Sequence, residues 1–187
     1  ASATAQTPEA DDASDDIVVT ATRTPTAQER LPARVTVIDR EAIEDRGYVS
    51  LVDALREAPG IVAVQNGTPG SLTSVFSRGT NSKHTLALYD GIRLNDASTP
   101  NGQYNFGQDL LGDLERVEVL RGPASSIYGS DAIGGVINLI PRRGAETPFE
   151  GYYDVSLGDL ETRRGSVGAA GSLGGLSYGV SLEAFDS

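Results

Sequence analysis

Asp90, Asp96 and Asp131 are the residues whose type and setting would suit chemistry, because two carboxylates drawn together can divide general acid and general base roles. A turn or a packing role accounts for them more simply: Asp90 precedes Gly91 in a hairpin dipeptide, and Asp131 stands in a glycine-rich segment. The groups that usually complete a catalytic or metal centre are missing. The sequence has no cysteine and a single histidine, His84, so it offers no thiolate site, disulfide framework or imidazole cluster. The acidic run Glu9, Asp11, Asp12, Asp15 and Asp16 lacks the glycine turn and distal glutamate of a calcium-binding EF loop. The segment 121–140 is rich in glycine but has no Gly-Lys-Ser/Thr ending, which argues against a phosphate loop. What it does hold is Arg121 beside backbone that can approach closely, a rigid fork of donors fit for a buried carboxylate.

Charge narrows the partners. Fifteen basic against 26 acidic residues give a formal charge of −11, which repels phosphate backbones and excludes sequence-independent nucleic-acid binding. Hydrophobic residues make up 39% of the 187, compatible with a modest packed core. No stretch reaches the roughly 20 consecutive apolar residues of a membrane-spanning helix. Spanning β-strands need only about 10 alternating residues and stay open. Ala1 stands first and the sequence has no methionine, so we expect the encoded start to have been removed, at an Ala-x-Ala-like site such as Ala1-Ser2-Ala3 or by ordinary loss of the initiator residue.

The elements follow from pattern. Residues 1–16 are acidic with little apolar content and read as a flexible tail. The β-branched run Ile17-Val-Val-Thr-Ala-Thr-Arg23 reads as a short strand, either at the end of the domain's own sheet or available for addition to a partner protein. From Val35 the chain reads as a compact α+β unit. Val35–Ile38 alternates as a strand, Asp39 caps a helical turn through Ile43, and Ser50 with Asp53 forms a capping box for a helix ended by Pro59-Gly60. Strands are expected at 61–64, 74–77, 116–120 and 136–140, and a hairpin at 85–94 around Asp90-Gly91. Two long loops, 65–72 and 95–112, are functional or mobile at this length. Tyr104 and Phe106 in the second either anchor a ligand or pin the loop to the sheet.

After Pro148 the period changes to two. Positions 153, 155 and 157, then 167, 169, 171 and 173, then the even positions 176–184 each make one apolar or small face, with Gly174-Gly175 as a tight turn. A soluble antiparallel sheet would show the same period. The one short and one longer connection suit a transmembrane barrel. Three strands cannot close a barrel of at least about eight, so we expect its remainder to lie outside this chain.

Phe76-Ser-Arg-Gly-Thr-Asn81, Leu88-Tyr-Asp-Gly-Ile-Arg-Leu-Asn95 and Arg116-Val-Glu-Val-Leu-Arg-Gly-Pro123 through Gly135-Val-Ile-Asn138 resemble the plug domain of TonB-dependent outer-membrane receptors. The resemblance implies a small mixed β-sheet with short helices and long apical loops over 24–145, followed at 146–187 by the first three strands of the barrel. It makes 17–23 the TonB box, with Asp15, Asp16, Ile17, Val18, Val19, Thr20, Ala21 and Thr22 matching its pattern. Among such receptors the chain is most similar to cobalamin transporters, in Asp16–Arg23, Arg78–His84 and Tyr128–Gly135. That implies ligand contacts from Leu72, Ser74 and Asn81, and from Thr99 and Pro100 in the second loop, where Asp96 and 104–109 depart from the expected pattern. Arg78 and Arg121 stand where the family is expected to latch plug to barrel-wall glutamates; ordinary pairs with Glu115, Glu118 or Asp131 are the alternative.

The implied function is uptake of cobalamin across the outer membrane of a Gram-negative bacterium, with tail and plug facing the periplasm. A TonB-type protein would pull the box, barrel lipid contacts would hold the receptor in place, and no catalytic residue or cofactor is expected; calcium sites would lie in barrel loops outside this chain. The alternatives are a receptor for a ferric siderophore or another large nutrient, and a soluble periplasmic plug-like binding or signalling module.

Overall fold

The computed structural model describes residues 18–19, 26–27, 34–68, 70–95, 102–142, 148–157, 163–174 and 176–186. The acidic tail, most of the expected TonB box, Asp96, Thr99, Pro100 and the connections 143–147 and 158–162 lie outside the described residues.

Two short strands, β1 (Val18–Val19) and β2 (Thr26–Ala27), pair antiparallel with each other and join no other sheet. Among the described residues, Val18–Val19 of the expected run is therefore not part of the main sheet.

The main sheet is five-stranded and mixed. It comprises β3 (Arg34–Asp39), β6 (Thr85–Tyr89), β7 (Ile92–Arg93), β8 (Leu114–Arg121) and β9 (Gly135–Pro141), in the order β3-β8-β9-β6-β7. β6 and β9 run parallel, and the other pairs are antiparallel. Its central strands are buried on both faces, which is why 136–140 reads as an unbroken apolar run rather than an alternation. Between β3 and β6 come α1 (Arg40–Asp45), α2 (Leu51–Glu57) and the hairpin of β4 (Ile61–Gln65) and β5 (Thr73–Ser77). Leu51, Leu55, Val75, Phe106, Val117, Val119 and Ile137 pack one face of the sheet. Leu86, Leu88, Leu120, Tyr128 and Val136 pack the other, against α3 (Ser125–Tyr128) and the 3₁₀ turn Ser130–Ala132.

Local chemistry explains the ends. Asp39 caps α1 by accepting from the Ala42 amide at 2.8 Å. Ser50 and Asp53 form the reciprocal capping box of α2. Asp90 and Gly91 take φ of 52° and 78°, the left-handed pair of a type I′ hairpin. Part of the glycine-rich segment winds into α3, packed through Tyr128.

The remaining strands, β10 (Glu150–Leu157), β11 (Arg163–Leu173) and β12 (Leu176–Asp186), form a separate antiparallel sheet. Register places Tyr153, Val167 and Leu182 in one row and Leu173 opposite Leu176, so the three expected apolar faces are one face. It is open: Tyr153 is 84% exposed and Val180 72%. The opposite face lies against the mixed-sheet unit, where Arg164, Ser166 and Ala170 are buried.

Candidate functional site

The two long loops meet at the start of β5. Asn105 Oδ1 accepts from the Thr73 amide at 2.9 Å, Phe106 N donates to Thr73 O at 3.3 Å, and Gln103 Nε2 donates to Ser74 Oγ at 2.6 Å. The second loop thus runs alongside the first as an added piece of backbone. Gly107 makes the approach possible, since a Cβ there would meet Ser71 O and lie 2.6 Å from Thr73 Oγ1. Phe106 is fully buried in the core and stacks edge-on with Tyr104 at 5.1 Å. Of the two uses open to these aromatics, Phe106 pins the loop. Tyr104 Oη donates to Asp109 Oδ1 at 2.7 Å. Burial pushes the Asp109 carboxyl above its usual range against the opposing effect of that hydrogen bond, and burial also raises the Tyr104 phenol.

Of the residues expected to touch ligand, Leu72 is 54% exposed and Ser74 half-buried under Gln103. Both lie at this junction, with Thr68, Ser71 and Gln103 presenting neutral hydroxyls and an amide around them. Such a surface orients a large polar ligand by hydrogen bonds and apolar contact. Asn81 lies past the other end of β5, where its side chain accepts from Lys83 N and caps the 3₁₀ turn Ser82–His84. The structure does not bring Asn81 to Leu72 and Ser74. Gln103 and Asn105 were not singled out from the sequence; the one available signal was their place in a long loop.

Of the carboxylates weighed for catalysis, Asp96 lies outside the described residues and the other two have structural roles. Asp90 shapes its hairpin turn and Asp131 is engaged by Arg93. Arg78 Nη1 lies 3.8 Å from where a Cβ would be on Gly122, the residue after Arg121. Arg121 donates to Pro59 O at 2.7 Å and Thr36 Oγ1 at 2.8 Å. Glu118 pairs with Arg116 and Asp131 with Arg93. Arg78, with φ of 50°, is exposed and makes no ion pair among the described residues.

A second set of contacts joins the two sheets. Arg164 Nε on β11 lies 2.6 Å from Glu183 Oε1 on β12, and the other Glu183 oxygen accepts from Gly112 N at 3.1 Å. The Arg142 guanidinium stacks 4.2 Å over the Tyr152 ring. Arg164 and Glu183 were missed in the sequence, although both sit at polar-parity positions of strands whose other face is apolar.

A family model described as the TonB-dependent receptor plug domain matches residues 27–136, more than half of the chain. The chain belongs to that family. Its mixed-sheet unit is the plug, and the three strands that follow match the N-terminal region of such receptors. The ferripyoverdine receptor of the Pseudomonas aeruginosa outer membrane superposes with a TM-score of 0.70 and 25% identity, covering 83% of this chain and 20% of its own. The siderophore receptor PiuA of Acinetobacter baumannii gives 0.65 and 30%, over 82% and 21%. The siderophore receptor PirA of the same species gives 0.65 and 26%, over 90% and 26%. This chain thus spans about a fifth to a quarter of the receptors it matches.

Proposed function

We propose that this plug serves a TonB-dependent outer-membrane receptor that imports a ferric siderophore. The observation that carries this reading is the likeness of plug and first wall strands together to siderophore receptors. It favours the siderophore alternative over cobalamin, which none of those relatives is described as binding. The motifs that suggested cobalamin are also poorly placed to select a ligand. Asp16–Arg23 belongs to the expected TonB box, Arg78–His84 forms the turn beyond β5, and Tyr128–Gly135 closes α3 and enters β9. Ligand identity depends instead on the joined loops around Leu72, Ser74 and Gln103.

In this reading the ligand settles on those loops, a TonB-type protein takes the segment Asp15–Thr22 by strand addition, and pulling on it opens the plug. The work comes from the partner, so the plug's own residues bind, orient and hold. The apolar face of β10–β12 meets lipid as the start of the barrel. Cells expressing the full-length gene should accumulate iron-55 from a ferric pyoverdine-type siderophore, and excess cyanocobalamin should leave that uptake unchanged. Cobalamin uptake with no iron uptake across a panel of ferric siderophores would return the ligand to the corrinoid class.

A further inference from the structure

We propose that the Arg164–Glu183 pair is a wall-borne latch that grips the plug by its backbone and must part before cargo passes along β12. The inference rests on the transport reading above. Glu183 divides its carboxylate between wall and plug, one oxygen on Arg164 and the other on the Gly112 amide. Arg164 Nη1 in turn reaches Tyr48 O at 3.5 Å. Tyr48 lies between α1 and α2, Gly112 lies just before β8, and Leu111 N donating to Val49 O ties these two plug segments to each other. One ion pair therefore holds a joined piece of plug.

Three further observations fit a latch. Gly112 does not have the left-handed φ that would by itself demand glycine, yet a Cβ there would lie 2.8 Å from Glu183 Cδ, so the contact explains the residue. The pair lies largely out of solvent, with Arg164 buried and incompletely satisfied. Arg164 Nη2, Asp154 Oδ1 and Ser166 Oγ have no hydrogen-bond partner among the described residues, and Arg164 sits between two carboxylates, Asp154 at 3.8 Å and Glu183. A buried pair in that state contributes little net stability while intact, which suits a contact made to be broken. Finally, cavities of about 270 and 460 Å³ adjoin beside β12, sharing Tyr89, Asp113 and Ser181. Glu183 lines the first of them and not the second, so the latch stands at one end of this cleft.

The test uses the full-length receptor carrying Gly112→Cys with Glu183→Cys; the second change removes the carboxylate that a side chain at 112 would strike. Oxidation should form a disulfide, stop iron uptake while leaving siderophore binding unchanged, and be reversed by reduction. Failure of the disulfide to form, or transport by the oxidised protein at the reduced protein's rate, would overturn the latch. Arg164→Gln with Glu183→Gln gives a second reading without cysteines. It should raise the entry of a large glycopeptide antibiotic that intact outer membranes exclude; unchanged exclusion overturns the proposal. Absence of iron uptake by the unmodified receptor would instead sink the transport reading.

Discussion

Asp109 is the residue at which pH should be felt. Its carboxyl is raised by burial, so in the folded loop the neutral form is favoured relative to the unfolded chain. The sign follows: its contribution is full below the ordinary carboxylate range and is lost as pH rises through the raised value. Asp109→Asn keeps an oxygen to accept from Tyr104 Oη and carries no charge. Amide protection factors across 103–112 in the full-length receptor should fall with rising pH in the wild type and stay flat in the variant. A slope that survives the substitution would point to another group. Single residues were unevenly legible. Leu72 and Ser74 could be named through the family resemblance, but Gln103 and Asn105 acquire their roles by hydrogen bonds to residues about 30 positions earlier, a pairing no local pattern announces.

At the scale of elements, those with their own chemistry were readable. The capping box of α2, the Asp39 cap, the Asp90-Gly91 turn and the period-two wall strands each depend on residues within a few positions. α3 was not, because Ala124 at its N-cap offers no side-chain acceptor and a four-residue helix is held by packing of Tyr128. β1 raises a functional question, since its backbone already pairs with β2 through Val18–Ala27 and Val19–Thr26. Two residue pairs at about 0.5–1.5 kcal/mol per hydrogen bond are few enough for a partner strand to displace. Val19→Pro removes a donor from the expected box. We expect siderophore binding as in the wild type and loss of uptake; uptake at the normal rate would refute strand addition at this segment.

The whole molecule is two sheets with opposed requirements. The plug's sheet is covered on both faces, whereas β10–β12 present one face to the plug and leave Tyr153, Val155, Val180 and Leu182 open. If that open face meets lipid, Val180→Arg should impair outer-membrane assembly, with a cost of up to about 2–4 kcal/mol for a charge at the bilayer centre. Ser181→Arg, one position on and lining with Asp113 and Glu183 a cavity that Val180 does not reach, should assemble normally. Heat-modifiable migration of the full-length receptor on gels measures both, and equal assembly of Val180→Arg and wild type would count against a lipid-facing wall.

The positions of α1, α2 and most strands, the apolar wall face and the lack of cysteine with a single histidine were settled by residue order, because period, capping and composition act over short distances. Family resemblance carried the plug assignment and pointed to the loops. Tertiary structure decided that Phe106 pins a loop, that Asn81 sits away from Leu72, that Arg93 pairs with Asp131 and Arg116 with Glu118, and that the Glu183 carboxylate meets both Arg164 and the Gly112 amide. Each of these depends on groups far apart in sequence meeting in a low-dielectric interior, where which partner is nearest fixes what a charge or a ring can do.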